Sequence, residues 1–230
     1  MDGEAHLLFP LFVGAFKAEK HEEYKQAFYK VLPNHCAVNE AGGMYAGEGS
    51  GKVYVHTDPA LEPLFRFISD AVRAYMDRLA FDHSRVDIHF VKTWVNAVDN
   101  ETVLPAHIHA TSHFSFCYYI DIPENSDAIA FQVPHSPNEP FPTAFLPDIA
   151  RQKSLLLESN MLNATQNAIP VQEGKVLIFP STAYHGTMKM GDMGSATRLS
   201  IAGDILLVYN EEAPNYATGL FNPATWRCFK

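Results

Sequence analysis

The stretch LPAHIHATSHFSFCYY, residues 104–119, places two histidines shortly before a run of aromatic residues. His107 and His109 stand two positions apart, and side chains at i and i+2 of an extended segment project to the same face. Two imidazoles on one face of a sheet can bind one metal ion. Because exposed strands also carry such pairs by chance, the stretch predicts a metal site only if other elements agree.

Helices and strands are segregated along the rest of the chain. Alternating or β-rich runs predict strands at residues 86–98, 114–122, 128–133, 175–180 and 199–209. Before them, the apolar spacing predicts one amphipathic helix over residues 18–32 and a longer one that begins after Asp58, as N-cap, and reaches Leu79. This order favours an α+β fold, in which helices cover one outer face of an antiparallel sandwich or barrel.

Length and composition are those of a single globular domain. The chain has 230 residues, of which 47% are hydrophobic and 19% charged, so it has enough apolar material for a substantial core. No stretch has the composition of a linker. We therefore expect one domain over residues 1–230, with a helical buttress at about 17–80 and a β core at about 86–210.

Charge, cysteine content and hydropathy restrict the environment and the partners. A formal net charge of −9 offers no basic face, so we expect no nucleic-acid partner. Three widely spaced cysteines predict neither disulfides nor a zinc knuckle, as in a reducing compartment. Residues 7–16 are apolar but interrupted by Pro10, which predicts a strand and not a signal peptide. No run approaches the ~18–20 apolar residues of a membrane span, so we expect a soluble, cytoplasmic protein.

Two irregular segments are candidate lids. Residues 42–51 are glycine-rich and lead into GSGK at 49–52, but a phosphate-binding loop would need glycine in place of Ala46 and a hydroxyl residue in place of Val53. The second segment, residues 136–147, contains four prolines. Neither encodes a specificity that the sequence reveals.

Two further elements agree with a metal site. In EGKVLIFPSTAYHG, residues 173–186, an apolar strand ends at Pro180 and His185 lies just beyond it, about 75 residues after the first pair. A double-stranded β-helix needs a histidine so placed to close a facial metal site. Farther on, Arg198 and Ser200 share a face and can together hold one carboxylate, although an Arg198–Asp204 ion pair is the simpler alternative.

The ordered set HxH at 107–109, FP at 179–180 followed by His185, and RxS at 198–200 resembles the iron(II)/2-oxoglutarate-dependent oxygenases. More narrowly, residues 107–119 and 173–181 resemble a bacterial and phage-encoded group of that superfamily with a His-x-His first motif. The resemblance implies a jelly-roll core, with Fe(II), 2-oxoglutarate and O2 as cofactor and co-substrates. It also implies C–H oxidation, most simply hydroxylation, with release of succinate and CO2.

The resemblance also implies roles for particular residues. His107, His109 and His185 would bind the metal, while Arg198 and Ser200 would hold the distal carboxylate of 2-oxoglutarate. Most of the superfamily has Asp or Glu where this chain has His109. Three interpretations stay open: His109 is the third ligand, a water or halide replaces it, or another residue such as Asp99 or His113 does.

Several neighbours are secondary candidates. If strand alternation continues from His109, then His113 and Tyr119 face inward, and Tyr119 becomes a second partner for the co-substrate. Asn96 and His113 are candidates for orienting a ligand or substrate. The sequence does not identify the substrate, which we expect to be a small or amino-acid-like molecule. It does not identify the oligomeric state either, for which a homodimer is one option.

Two other functions remain open on the sequence alone. A three-histidine cupin dioxygenase that uses no 2-oxoglutarate fits the histidine pair but leaves Arg198 and Ser200 without a purpose. A non-catalytic jelly-roll binding module would retain the cavity without turnover.

Overall fold

The computed structural model describes residues 4, 6, 8–38, 44–141, 144–145, 155–210 and 227–228. Within them the helices are α1 (His21–Val31) and α2 (Glu62–Arg78). The strands are β1 (Gly14–Lys17), β2 (Ala37–Val38), β3 (Met44–Tyr45), β4 (Val86–Val98), β5 (Phe114–Asp121), β6 (Ala128–Gln132), β7 (Gln166–Ile169), β8 (Lys175–Pro180), β9 (Tyr184–Met188) and β10 (Arg198–Tyr209).

Two antiparallel sheets form the body of the molecule. The larger has the order β1-β8-β5-β10-β4, and the smaller has the order β7-β6-β9. Residues 104–107 add a further extended segment beside β9, where His107 and His185 exchange backbone hydrogen bonds of 2.8 and 3.0 Å. The strands thus alternate between two facing sheets, as in a double-stranded β-helix, and the α+β jelly-roll prediction is confirmed.

The predicted elements match closely, and the differences are confined to short strands. Strands β4 and β8 have the predicted bounds, and α2 begins after a short 3-10 turn in which the Asp58 side chain accepts from the Ala60 amide. Four short strands, β2, β3, β7 and β9, were not predicted. His185 lies just beyond the end of β8, as predicted, and a turn at residues 181–183 leads into β9, which carries it.

Strand alternation divides the core in two. On β5, Phe116, Tyr118 and Ile120 pack against the two helices on the outer face of the larger sheet. The intervening Cys117 and Tyr119 face the space between the sheets. The helices therefore cover one face of the larger sheet, and the opposite face is left to form the wall of an interior cavity.

A β-bulge in β4 directs Trp94 into that interior. Asp204 of β10 pairs with Lys92 and the next residue, Ile205, pairs with Phe90, so Val91 is left over. One extra residue reverses the alternation of a strand. Phe90 consequently packs on the helix side, whereas Trp94, four residues later, packs between the sheets. None of the helices in the described part of the chain is long and apolar enough to cross a membrane.

Candidate active site

Three histidines converge at one end of the space between the sheets. His109 is held next to the β8–β9 turn, because its amide donates to the Ser181 carbonyl at 2.9 Å. Together with the backbone pairing of His107 and His185, this hydrogen bond holds residues 107–109 against β9 and the turn that precedes it. The potential ligand atoms of the three histidines all lie within 4.8 Å of one another. Spacing in the sequence predicted this grouping.

The hydrogen bonds of the three rings point their Nε2 atoms toward a common centre. Nδ1 of His107 is 2.8 Å from the Pro105 carbonyl, and Nδ1 of His185 is 2.8 Å from the Ala183 carbonyl. Nδ1 of His109 is 2.6 Å from the Asp204 carboxylate. Since these oxygens accept, each Nδ1 carries the hydrogen and each Nε2 presents a lone pair.

The distance between two Nε2 atoms fits a shared metal ion. Nε2 of His107 and Nε2 of His109 are 3.1 Å apart. Two lone pairs at that distance repel unless a cation lies between them. Imidazole nitrogens at right angles on one ion, with bonds of about 2.1 Å as in zinc sites, would be about 3.0 Å apart. The residues present therefore fit a divalent metal.

Burial keeps His185 in the form that binds a metal. Desolvation, with a smaller contribution from His107 and His109, lowers the pKa of His185 from 6.5 to about 4. Its imidazole is therefore neutral near pH 7, and a metal ion would meet no competing proton on this residue.

Arg198 and Ser200 form a polar patch deeper in the cavity wall. The Arg198 Nη1 donates to the Asp127 carbonyl at 2.9 Å, but Arg198 Nε and Ser200 Oγ are buried and have no hydrogen-bond partner among the described residues. The adjacent Cys117 thiol is only a weak hydrogen-bonding group. Adjacent unpaired donors in a buried site are unfavourable unless a ligand completes them, and a carboxylate would do so.

Tyr119 completes this patch. The Arg198 guanidinium lies 6.0 Å from the centre of the Tyr119 ring. Burial raises the pKa of Tyr119 well above its usual value and also raises the pKa of Cys117. Both side chains therefore stay protonated near neutral pH and can donate toward an anion.

A single cavity of about 370 Å³ connects the histidines with the polar patch. Asn96 lines it, with its Oδ1 accepting from the Trp94 indole at 3.0 Å. His113 does not, because it turns toward β10, where its Nδ1 accepts from the Leu207 amide at 2.9 Å. Asp99 is engaged in a local turn with Thr102. The structure thus brings His109, and neither of the two alternatives, to the other histidines.

Asp204 is the important residue that sequence reasoning assigned wrongly. The alternative Arg198–Asp204 pair is incorrect, since the Asp204 carboxylate accepts from His109, Ser112 and Ser115 instead. Trp94 stacks on His109, with ring centres 5.6 Å apart and planes inclined by 15°. His109 is thus held at its edge by Asp204 and on one face by Trp94.

The glycine-rich segment contributes residues 46–50 to the cavity wall. Glu48 makes an ion pair with Lys92, whose ammonium lies 5.5 Å from the centre of the Trp94 ring. The predicted lid is therefore adjacent to the site, although residues 42–43 lie outside the described residues. The second predicted lid, residues 136–147, is described only in part and supplies none of the lining residues.

Fold and site together define a class of protein: jelly-roll enzymes that bind a metal ion and a carboxylate in one cavity. A protein-family model described as "Putative 2OG-Fe(II) oxygenase" matches residues 92–204, about half of the chain. This match includes the three histidines, Arg198, Ser200 and Tyr119.

Several solved structures share this fold. HygX from Streptomyces hygroscopicus, solved with nickel and 2-oxoglutarate bound, has a TM-score of 0.51 at 13% identity, covering 91% of this chain and 85% of that one. AviO1 from Streptomyces viridochromogenes gives 0.51 at 13%, covering 87% and 91%. A Pseudomonas putida prolyl-4-hydroxylase gives 0.50 at 9%, covering 85% and 92%. A comparison with curated protein sequences finds no match.

The chain belongs to the iron(II)/2-oxoglutarate-dependent oxygenase superfamily. It is an oxidoreductase whose cofactor is Fe(II) and whose co-substrates are 2-oxoglutarate and O2.

Proposed function

We propose that this protein hydroxylates a C–H bond of a small-molecule or amino-acid-like substrate, releasing succinate and CO2. The observation that carries the proposal is the presence, in one cavity, of three convergent imidazoles and of a buried Arg–Ser pair with two polar atoms, Arg198 Nε and Ser200 Oγ, that have no partner among the described residues. The first group suits a divalent metal and the second suits a carboxylate, so the cavity has a place for both parts of the cofactor chemistry.

His107, His109 and His185 are the proposed ligands of the iron. Three protein ligands would leave room on the metal for a 2-oxoacid and for O2. When bound, iron and 2-oxoglutarate supply the oxidation chemistry by which O2 is reduced and a C–H bond is oxygenated. The task of the protein is to orient the reactants and exclude water.

Arg198, Ser200 and Tyr119 are the proposed site for the distal carboxylate of 2-oxoglutarate. Arg198 Nε and Ser200 Oγ would gain the partners that they lack among the described residues. Because Arg198 is 3% exposed, an ion pair formed there is shielded from water and from salt. Binding at this patch would direct the 2-oxoacid end toward the histidines, which line the same cavity.

Asn96 is the proposed contact for substrate. It lies on β4 in the cavity wall, and the indole donor of Trp94 fixes its amide oxygen, so its amide NH2 is oriented as a donor. His113, which we expected to share this role, is engaged with the backbone of β10 and is not proposed as a substrate contact.

A three-histidine dioxygenase without 2-oxoglutarate is the second candidate, favoured only by the histidine set. It would leave the buried Arg198 and Ser200 unexplained. A non-catalytic module would likewise have no need of three rings with their Nε2 atoms turned toward one centre.

The test is calorimetric titration of 2-oxoglutarate into anaerobic protein with and without Fe(II), using wild type, Arg198→Ala and Arg198→Met. We expect metal-dependent binding that both variants weaken at least about tenfold, because they lose a charge-assisted hydrogen bond worth about 1.5–3 kcal/mol. Arg73→Ala, on the exposed side of α2, is the matched control.

The absence of 2-oxoglutarate binding to folded, iron-loaded wild type would reject the assignment and favour the second candidate. Circular dichroism of each variant separates lost binding from lost folding. Arg198→Met preserves most of the side-chain volume, so a cavity in the core does not confuse the result.

A further inference from the structure

Asp204 is a buried carboxylate with an unusual set of partners. It is 5% exposed, and its Oδ1 lies 2.6 Å from His109 Nδ1, 3.2 Å from Ser112 Oγ and 3.4 Å from Ser115 Oγ. Across the part of the chain that the structure describes, no lysine or arginine forms an ion pair with it. Its one potentially charged partner is the imidazole of His109.

A buried anion needs a compensating positive charge. Hydroxyl and N–H donors satisfy the lone pairs of a carboxylate, but they do not neutralise its charge, and an unpaired buried charge is strongly unfavourable. Directly across the His109 ring from Asp204 is Nε2, which faces Nε2 of His107 at 3.1 Å. The position of a bound divalent cation is therefore the place from which the charge of Asp204 can be balanced.

The surroundings of Asp204 fix its position. Ser112 Oγ and Ser115 Oγ also lie 2.8 and 2.9 Å from Ser181 Oγ, so the three hydroxyls form one network beside the carboxylate. Trp94 stacks on His109 and restrains the ring. The carboxylate, the imidazole and the proposed metal position are thus aligned in a rigid unit.

We propose that Asp204 is a positioning residue that makes His109 the third metal ligand and supplies the negative charge that a set of three neutral imidazoles lacks. The inference rests on the proposed function, because it assumes a metal at the three histidines. It selects one of the three interpretations of His109, namely direct ligation supported by a carboxylate behind the ring. Carboxylates that orient a ligating histidine also raise its basicity, and their loss typically weakens metal binding about 10–100-fold.

The experiment separates charge from position. Asp204→Asn keeps a side-chain oxygen that can accept from His109 Nδ1 but removes the charge, whereas Asp204→Ala removes both. Apoprotein is titrated with Fe(II) under anaerobic conditions, and the charge-transfer absorption band of the Fe(II)–2-oxoglutarate complex is recorded for each variant. Asp58→Asn is the matched control, because Asp58 holds His35 at 3.0 Å in a similar carboxylate–histidine pair that does not line the cavity.

We expect Asp204→Asn to weaken Fe(II) binding by about 10–100-fold and to move the absorption band to higher energy, since a less electron-rich ligand lowers the metal d orbitals. Asp58→Asn should change neither. A wild-type affinity and an unshifted band in Asp204→Asn would overturn the proposal and leave the oxygenase assignment intact. Failure of wild type itself to bind Fe(II) would instead remove the metal assignment, and this inference with it.

Discussion

Ser200 and Arg198 are single residues that lower the stability of the protein and favour the binding of a ligand. A buried polar group without a partner costs about 1–3 kcal/mol, and this wall of the cavity contains two such atoms, Arg198 Nε and Ser200 Oγ. In the ligand-free protein this is a local defect. It becomes an advantage only when a carboxylate occupies the cavity. Stability and 2-oxoglutarate affinity should therefore change in opposite directions when these polar atoms are removed.

Ser200→Ala should therefore stabilise the metal-free protein by about 1 kcal/mol while weakening 2-oxoglutarate binding about tenfold. Urea unfolding and calorimetric titration measure the two effects. Ser136→Ala is the control, because Ser136 is also buried but donates to the Leu162 carbonyl at 3.3 Å, and its loss should be destabilising. A Ser200→Ala protein that is less stable and binds 2-oxoglutarate normally would contradict the prediction.

For single residues of the site, the sequence predicted those whose partners lie close in the chain or share a strand face. His107 with His109, and Arg198 with Ser200, follow from a spacing of two. Asp204 lies 95 positions from His109, so no spacing rule connects them. His113 was placed inward because alternation was extended through residues 110–113, where a turn intervenes before β5 begins.

Among the elements, the segment at residues 104–107 depends on Gly186 of β9. A Cβ added at Gly186 would lie 2.8 Å from the Leu104 carbonyl oxygen and 2.9 Å from the Ala106 amide nitrogen. Both are backbone atoms, so no side chain could rotate away. Absence of a side chain at this position lets the segment approach β9 closely enough for His107 to join His185.

Gly186→Ala should displace residues 104–107, lower the unfolding free energy by about 1–3 kcal/mol through overpacking, and weaken Fe(II) binding by separating His107 from His185. Anaerobic metal titration and thermal unfolding test this. Gly49→Ala, at a glycine whose added Cβ would meet nothing within 4 Å, should leave metal binding unchanged. Equal metal affinity in Gly186→Ala and wild type would show that the contact does not position His107.

Elements that the sequence did not predict have weak local signals. Strand β9 reads YHGTM and β7 reads QNAI, and neither has the β-branched or aromatic enrichment that marked β4, β8 and β10. Both strands are formed by pairing with β6, a tertiary effect. Long apolar strands and the amphipathic α2 were predictable because their periodicity reflects burial of one face against a broad partner.

On the scale of the whole molecule, helices and jelly roll share one core. Phe28 of α1 and Ile68 of α2 belong to the same buried cluster as Tyr118 of β5 and Ile178 of β8. We therefore propose, as the sequence suggested, that the chain acts as one domain. The helices stiffen the larger sheet from outside and leave its inner face free for the cavity.

The distribution of charge over the molecule limits the substrate. Apart from histidines, the described cavity lining has two charged side chains, Arg198 and Glu48. The first is assigned to the co-substrate, and the second is paired with Lys92. Within this described lining, no further basic group remains to attract a second anion, and no unpaired carboxylate remains for a cation.

We accordingly expect the part of the substrate that enters the cavity to be uncharged. Matched compounds on one scaffold, an amide, its parent acid and the corresponding amine, should be compared by succinate release from iron-loaded protein. The amide should stimulate turnover most, because burying either ion without a partner is costly. Greater stimulation by the acid would contradict this expectation. If Lys92→Met then lost that stimulation, the Glu48–Lys92 pair would be shown to open and Lys92 to bind the substrate.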